Sequence, residues 1–141
     1  MPTYRLSTLV AAPPERVFAA WINPDLFHKW IGGVTGVTDR IGPTGEAGSR
    51  YTVRFGRMAS PTEVLASERP RHIRTRFGNA ILKGESDVTF TAEGGGTRIQ
   101  QVIATRGLVS AIFGWFFSLG SYQGSFKGEL ETFRRLVERQ A

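Results

Sequence analysis

General acid–base chemistry needs a titratable side chain held away from bulk water, and this sequence offers few. Its two histidines are His28 and His72. An imidazole titrates near neutral pH and can act as a general base. His28 lies between Phe27 and Trp30 in a stretch of helical phase that turns it partly outward, so it is a weak catalytic candidate. His72 shares the parity of Arg74 and Arg76, opposite Ile73, which places it on a polar strand face. Glu85 and Asp87 share one strand face while Val88 and Phe90 share the other, so this carboxylate pair should point to solvent. Ser110, Ser118, Ser121 and Ser125 flank an apolar run without a glycine-flanked nucleophile pattern or a paired histidine. The chain has no cysteine, which excludes thiol catalysis, disulfides, iron–sulfur clusters and cysteine-ligated zinc. Two histidines do not make a multi-histidine metal site. No metal and no cofactor are expected. Gly94-Gly95-Gly96 reads as a hairpin tip, because no helix follows to receive a phosphate.

Three polar residues sit within apolar patterns instead. Thr75 lies between Ile73 and Phe77, and Gln101 shares parity with Ile99 and Ile103. Tyr122 opens the apolar stripe of the last helix and is a second weak candidate proton donor. A buried glutamine or tyrosine left unpaired costs about 1–3 kcal/mol. Its partner is a ligand, a neighbouring strand or a water.

The elements that must hold these residues follow from periodicity. Tyr4 to Ala11 read as a strand. Ala12-Pro13-Pro14-Glu15 starts a helix running to about Ile22, with Val17, Phe18 and Trp21 on one face. Asn23-Pro24-Asp25 starts a second short helix that Gly32-Gly33 stops. From about Val34 to Arg106 the chain alternates as strands: Tyr51, Val53 and Phe55; Ile73, Thr75 and Phe77; Val88 and Phe90; Ile99, Gln101 and Ile103. Breaks are expected at 42–45, Gly56 to Pro61, Glu68 to Arg71, Gly78 to Gly84 and 93–96. A long amphipathic helix, about Ser121 to Gln140, follows. Tyr122, Phe126, Leu130, Phe133 and Val137 form its apolar face, and Glu129, Glu131, Arg134, Arg135, Glu138 and Arg139 are assigned to the other side. Strands followed by a helix argue an α+β class. With 141 residues, 40% hydrophobic and 21% charged, the chain reads as one domain, 1–141, and not as a disordered segment.

The formal net charge is +6, and 15 of the 18 basic residues are arginine. Arg50, Arg54, Arg74 and Arg76 share the polar sheet face. No aromatic platform accompanies them, and Glu63, Glu85 and Asp87 stand ready as cross-strand partners, so a solvated face and no nucleic-acid partner are expected. Leu108 to Leu119 is almost wholly apolar, but its twelve residues are too few to span a bilayer. Trp115, Phe116 and Phe117 cannot share one helix face. The segment reads as a lid hinged at Gly114 and Gly120, as a contact surface that a homodimer could use, or as a helix buried at the sheet edge. Without a spanning segment or a signal-peptide pattern, a cytoplasmic location without integral membrane contact is expected.

This order of elements resembles the helix-grip fold. More specifically, the chain is similar to the START-like (SRPBCC) superfamily, which includes polyketide cyclases and dehydratases, birch-pollen-allergen proteins and chaperone-ATPase-activator homology domains. The resemblance covers nearly the whole chain. It is carried by Ala11-Ala12-Pro13-Pro14-Glu15-Arg16-Val17-Phe18, Trp21, Asn23-Pro24-Asp25-Leu26, Lys29-Trp30, Gly48-Ser49-Arg50-Tyr51, Glu63-Val64-Leu65, Pro70-Arg71-His72-Ile73 and Gly94-Gly95-Gly96-Thr97-Arg98-Ile99. It implies a curved antiparallel sheet of about seven strands wrapped around the C-terminal helix, with a cavity between them. The inward set, and hence the candidate ligand wall, is Phe18, Trp21, Phe27, Trp30, Tyr51, Val53, Phe55, Thr75, Phe77, Phe90, Gln101, Ile103, Tyr122, Phe126 and Phe133. Side chains that merely fill a core would show the same pattern. Members of the superfamily bind lipids, polyketides or other apolar molecules there, and some catalyse cyclisation or dehydration. The expected function is binding of a hydrophobic or amphipathic small molecule. The alternatives are a cyclase- or dehydratase-type enzyme in the same cavity, and an adaptor for another protein. No acid is expected on the inward face, which weighs against the enzyme.

Overall fold

The structure, a computed structural model, describes residues 3–78, 83–106 and 121–139, with side chains at all of these except 106 and 121–125. Strand β1 (Thr3–Val10) leads into helix α1 (Pro14–Ile22), a 3-10 turn (Pro24–Leu26) and the short helix α2 (Phe27–Trp30). Six strands follow: β2 (Gly36–Ile41), β3 (Arg50–Phe55), β4 (Met58–Glu68), β5 (His72–Gly78), β6 (Lys83–Glu93) and β7 (Gly96–Arg106). The last helix, α3, spans Ser121–Arg139. The strands form one sheet in the order β1-β7-β6-β5-β4-β3-β2, antiparallel at every step. This is the helix-grip arrangement. No helix among the described residues is long and apolar enough to cross a membrane.

Side-chain alternation decides which face turns inward. In β1, exposed and buried residues alternate along all eight positions, with Tyr4, Leu6, Thr8 and Val10 inward. One expected break differs. The β3–β4 turn occupies only Gly56 and Arg57, and β4 already begins at Met58. Gly56 has φ +64°, which closes the chain reversal in two residues. Pro61 reads as a breaker in sequence, yet it stands within β4 opposite Thr52, exposed on the outer face. Further along β4 the register shifts between Val64 and Ala66, a bulge of the kind that sharpens strand twist.

The outer face carries the arginine stripe, and cross-strand acids meet it. Arg74 pairs with Glu85 at 2.6 Å, Arg76 with Glu63 at 3.1 Å and Arg54 with Asp39 at 3.3 Å. His72 is 2.7 Å from Asp87 on the same face. All these side chains remain substantially exposed, and each such pair contributes at most about 1 kcal/mol. Their main effect is to balance charge on the face.

The inner face is covered by α1, α2 and α3. A proline in the first turn of α1 costs no helical hydrogen bond, and Val17, Phe18 and Trp21 then fall on one buried face. The C-terminal half of α3 is tied to the β1 side. Thr8 Oγ1 donates to Glu131 at 2.9 Å, the Ala11 N–H donates to Glu138 at 2.9 Å, and Arg134 bridges both carboxylates. Arg16 donates to the Val137 carbonyl. Phe133, fully buried, packs on both Trp21 and Trp30 with ring centroids 4.9 Å from each, and the two indoles are themselves 4.8 Å apart, so the three rings form a closed triangle. The apolar run Leu108 to Leu119, with its lid and contact-surface readings, lies outside the described residues. Replacing Phe133 by alanine removes one ring of this triangle, and urea unfolding should show a loss of about 3–5 kcal/mol.

Candidate functional site

The sheet's inner face can be read in cross-strand rows. Phe90, Ile99 and Thr8 form one row, and Val88, Gln101 and Leu6 the next. Phe18 and Trp21 pack edge-on against Phe90, at 5.3 and 5.8 Å, so this end is solid core. Further along, the rows carry small residues. Val64, Thr75, Ser86 and Ile103 lie side by side, followed by Thr62, Phe77 and Gly84. Here the N-terminal half of α3 supplies Phe126, Glu129 and Leu130. Small side chains below and a single helix above leave a cavity of about 480 Å³.

The cavity is lined by Trp21, Phe27, Trp30, Tyr51, Val53, Phe55, Thr75, Phe77, Gln101, Ile103 and Phe126 of the sequence-derived wall. Phe18, Phe90 and Phe133 do not line it. They are at most 2% exposed and belong to the core end of the sheet. Parity alone cannot separate the two groups, because core and cavity share one face. The Tyr122 side chain lies outside the described residues. His28 is exposed on α2 and does not line the cavity, so it is no proton donor for it. Ile22, Ile31, Ser60, Thr62, Val64, Ile73, Ser86, Glu129 and Leu130 join the wall beyond the expected set.

Glu129 corrects the expectation of an acid-free interior. It sits three residues after Phe126 and four before Phe133, which is stripe spacing. Residue type had assigned it to the polar side. Its Oε2 accepts the backbone N–H of Gly32 at 2.9 Å. A β-carbon at residue 32 would stand 3.2 Å from that oxygen, so the absence of a side chain lets the carboxylate approach. Burial pushes the Glu129 carboxyl above the usual carboxylate range, and the Gly32 hydrogen bond opposes the rise in part.

The other polar groups are neutral. Burial raises the Tyr51 phenol to about 12, so it stays protonated at neutral pH. Gln101 Nε2 donates to Ser86 Oγ at 3.2 Å, which gives the glutamine a partner on the neighbouring strand. The Trp30 indole N–H is buried without an acceptor among the described residues. Gly84 matters by what it lacks: a β-carbon there would lie 2.7 Å from the Phe77 ring, so glycine lets Phe77 lie flat on the floor. A second concavity of about 580 Å³ opens on the outer side. Its arginines Arg50 and Arg76 are both paired with Glu63, and Asp39 and Lys83 also line it.

The Glu129 shift has a stability consequence. Its folded carboxyl holds a proton more tightly than the unfolded one, so the wild-type protein loses stability as pH rises through the interval between the two values. Glu129→Gln keeps an acceptor for Gly32 and removes the buried charge. Thermal melts should show the variant more stable than wild type at pH 7, with the difference vanishing below the ordinary carboxylate range.

Comparison with known proteins fits this architecture. Protein MLL2253 from Mesorhizobium loti superposes with a TM-score of 0.74 at 19% identity, covering 99% of both chains. TTHA0849 from Thermus thermophilus gives 0.74 at 18% identity, again over 99% of both chains. Ara h 8.0201 gives 0.71 at 15% identity, over 96% of this chain and 97% of the other. At these identities the likeness shows the fold alone. A comparison with curated proteins finds no match. Residues 1–138 match the family described as polyketide cyclase / dehydrase and lipid transport. The chain, with its seven-stranded sheet gripping a C-terminal helix, belongs to that family.

Proposed function

We propose that this protein binds an apolar or amphipathic small molecule, lipid- or polyketide-like, in the cavity between the sheet and the N-terminal half of α3. The observation that carries this reading is the chamber itself, about 480 Å³ and walled by Trp21, Phe27, Trp30, Tyr51, Phe55, Phe77 and Phe126. Small-molecule sites typically enclose about 300–1,000 Å³ with mostly apolar walls and a few polar groups. Affinity would come from apolar burial, about 25 cal/mol per Å² before the costs of association. Thr75 and Gln101 would orient the ligand from the sheet floor, and Tyr122 retains its proposed part at the start of α3.

A cyclase- or dehydratase-type enzyme is the second reading, and Glu129 favours it. A carboxyl raised by burial inside an apolar cavity is suited to proton transfer, whereas His28 is outside the chamber. The adaptor reading depends on Leu108 to Leu119.

Uptake of the neutral dye Nile red, followed by its fluorescence, tests the chamber. Thr75 lines the floor, and Thr75→Phe should fill part of the volume and weaken uptake about tenfold or more. Equal affinity in wild type and variant would remove the chamber as the binding site. Native mass spectrometry of freshly purified protein would reveal a co-purifying ligand directly.

A further inference from the structure

The acidic residues of this chain are almost all neutralised. Of twelve, ten stand within 3.9 Å of an arginine or histidine side chain. The exceptions are Glu46, exposed in the β2–β3 loop, and Glu129, which faces the cavity. Among the described residues, the one carboxylate that lines the chamber is left without a cation.

Its surroundings narrow what could neutralise it. One carboxylate oxygen is committed to the Gly32 N–H, and the other has no hydrogen-bond partner among the described residues. No lysine, arginine or histidine lines the cavity among those residues. Of the side chains outside the described set, Arg106 at the end of β7 is the one basic residue. The cavity wall that Glu129 shares is rich in aromatic side chains. Phe126 lies one turn earlier on the same helix face, Trp30 lies two residues before Gly32, and the Phe55 ring comes within 3.6 Å of where a β-carbon on Gly33 would be. Aromatic faces attract cations through their quadrupole, most strongly when water is excluded. A partly buried carboxylate and aromatic rings in one cavity converge on the same chemistry.

We propose that the ligand of this cavity is a cationic amphiphile whose protonated amine is held by Glu129 among Trp30, Phe55 and Phe126, with its apolar body laid along the sheet floor. This rests on the cavity being a small-molecule site. The ligand's ammonium supplies the charge that the chain withholds from Glu129, and it donates to the free carboxylate oxygen without disturbing the bond to Gly32. The neutral analogue lacks the ion pair, and the anionic analogue meets a like charge.

The test is displacement of Nile red from the full-length protein at pH 7 by dodecylamine, 1-dodecanol and dodecanoate. The tails match, so the order reports the head. Dodecylamine should displace the dye at about tenfold lower concentration than the alcohol, with dodecanoate weakest. The net charge of +6 favours the opposite order, so nonspecific electrostatics cannot produce this result. In Glu129→Gln, checked for folding by circular dichroism and with displacement referred to the variant's own Nile red affinity, amine and alcohol should come together. An alcohol or carboxylate that matches or outcompetes the amine overturns the head-group assignment and leaves the cavity reading intact. An amine preference that survives in Glu129→Gln also overturns it. Failure of the wild-type protein to bind Nile red or any of the three chains overturns the cavity reading, and the assignment with it.

Discussion

The mutual packing of Phe133 with Trp21 and Trp30 is the contact on which the rest of the molecule depends. It joins all three helices at one point, with centroid separations of 4.9 Å to both indoles, over the end of the sheet that carries Phe90 and Ile99. A helix can fill only part of a concave seven-stranded sheet. Phe133 and Val137 fill the end nearest α1, whereas the N-terminal half of α3, with Phe126 packed on Tyr4, lies over rows that carry Thr75, Ser86, Thr62 and Gly84. The chamber is the complement of that tight packing. The ladder of Thr8, Glu131, Arg134 and Glu138 reinforces the asymmetry, since it secures only the C-terminal half of the helix.

Charge is distributed with a similar division. On the outer sheet face, arginines and acids alternate across strands and satisfy one another in high dielectric, where each pair adds little. Inside, the chain places a single carboxylate and supports it with one backbone N–H. A partly buried carboxylate without a counter-charge among the described residues carries a desolvation penalty, which raises its proton affinity and makes it a group that gains from a ligand. The two readings of the cavity, carrier and enzyme, both draw on this residue. They differ in whether Glu129 holds a charge or moves a proton.

Membership of the polyketide cyclase / dehydrase and lipid transport family is consistent with either reading, because a fold of this kind hosts many functions and the site has to decide between them. The site here is distinguished by what surrounds it: seven aromatic side chains, a band of small polar residues on the floor and one acid in the helix above.

The sequence alone determined the secondary structure and the face to which most residues turn. Period-two alternation specified which side of β3, β5, β6 and β7 is apolar, because a strand has only two faces. Helical spacing likewise marked Phe126, Leu130, Phe133 and Val137. The β3–β4 turn was misplaced because Pro61 reads as a breaker, although a proline on the outer face of a strand is tolerated here. Tertiary structure decided the rest. It separated Phe18, Phe90 and Phe133, which fill the core, from Trp30, Phe55 and Phe126, which line a void, because filling depends on sheet curvature and on how deep the helix sits. It also turned Glu129 inward. Spacing already put that residue on the apolar stripe, but only the approach of Gly32, 97 residues away in sequence, makes a carboxylate tolerable there.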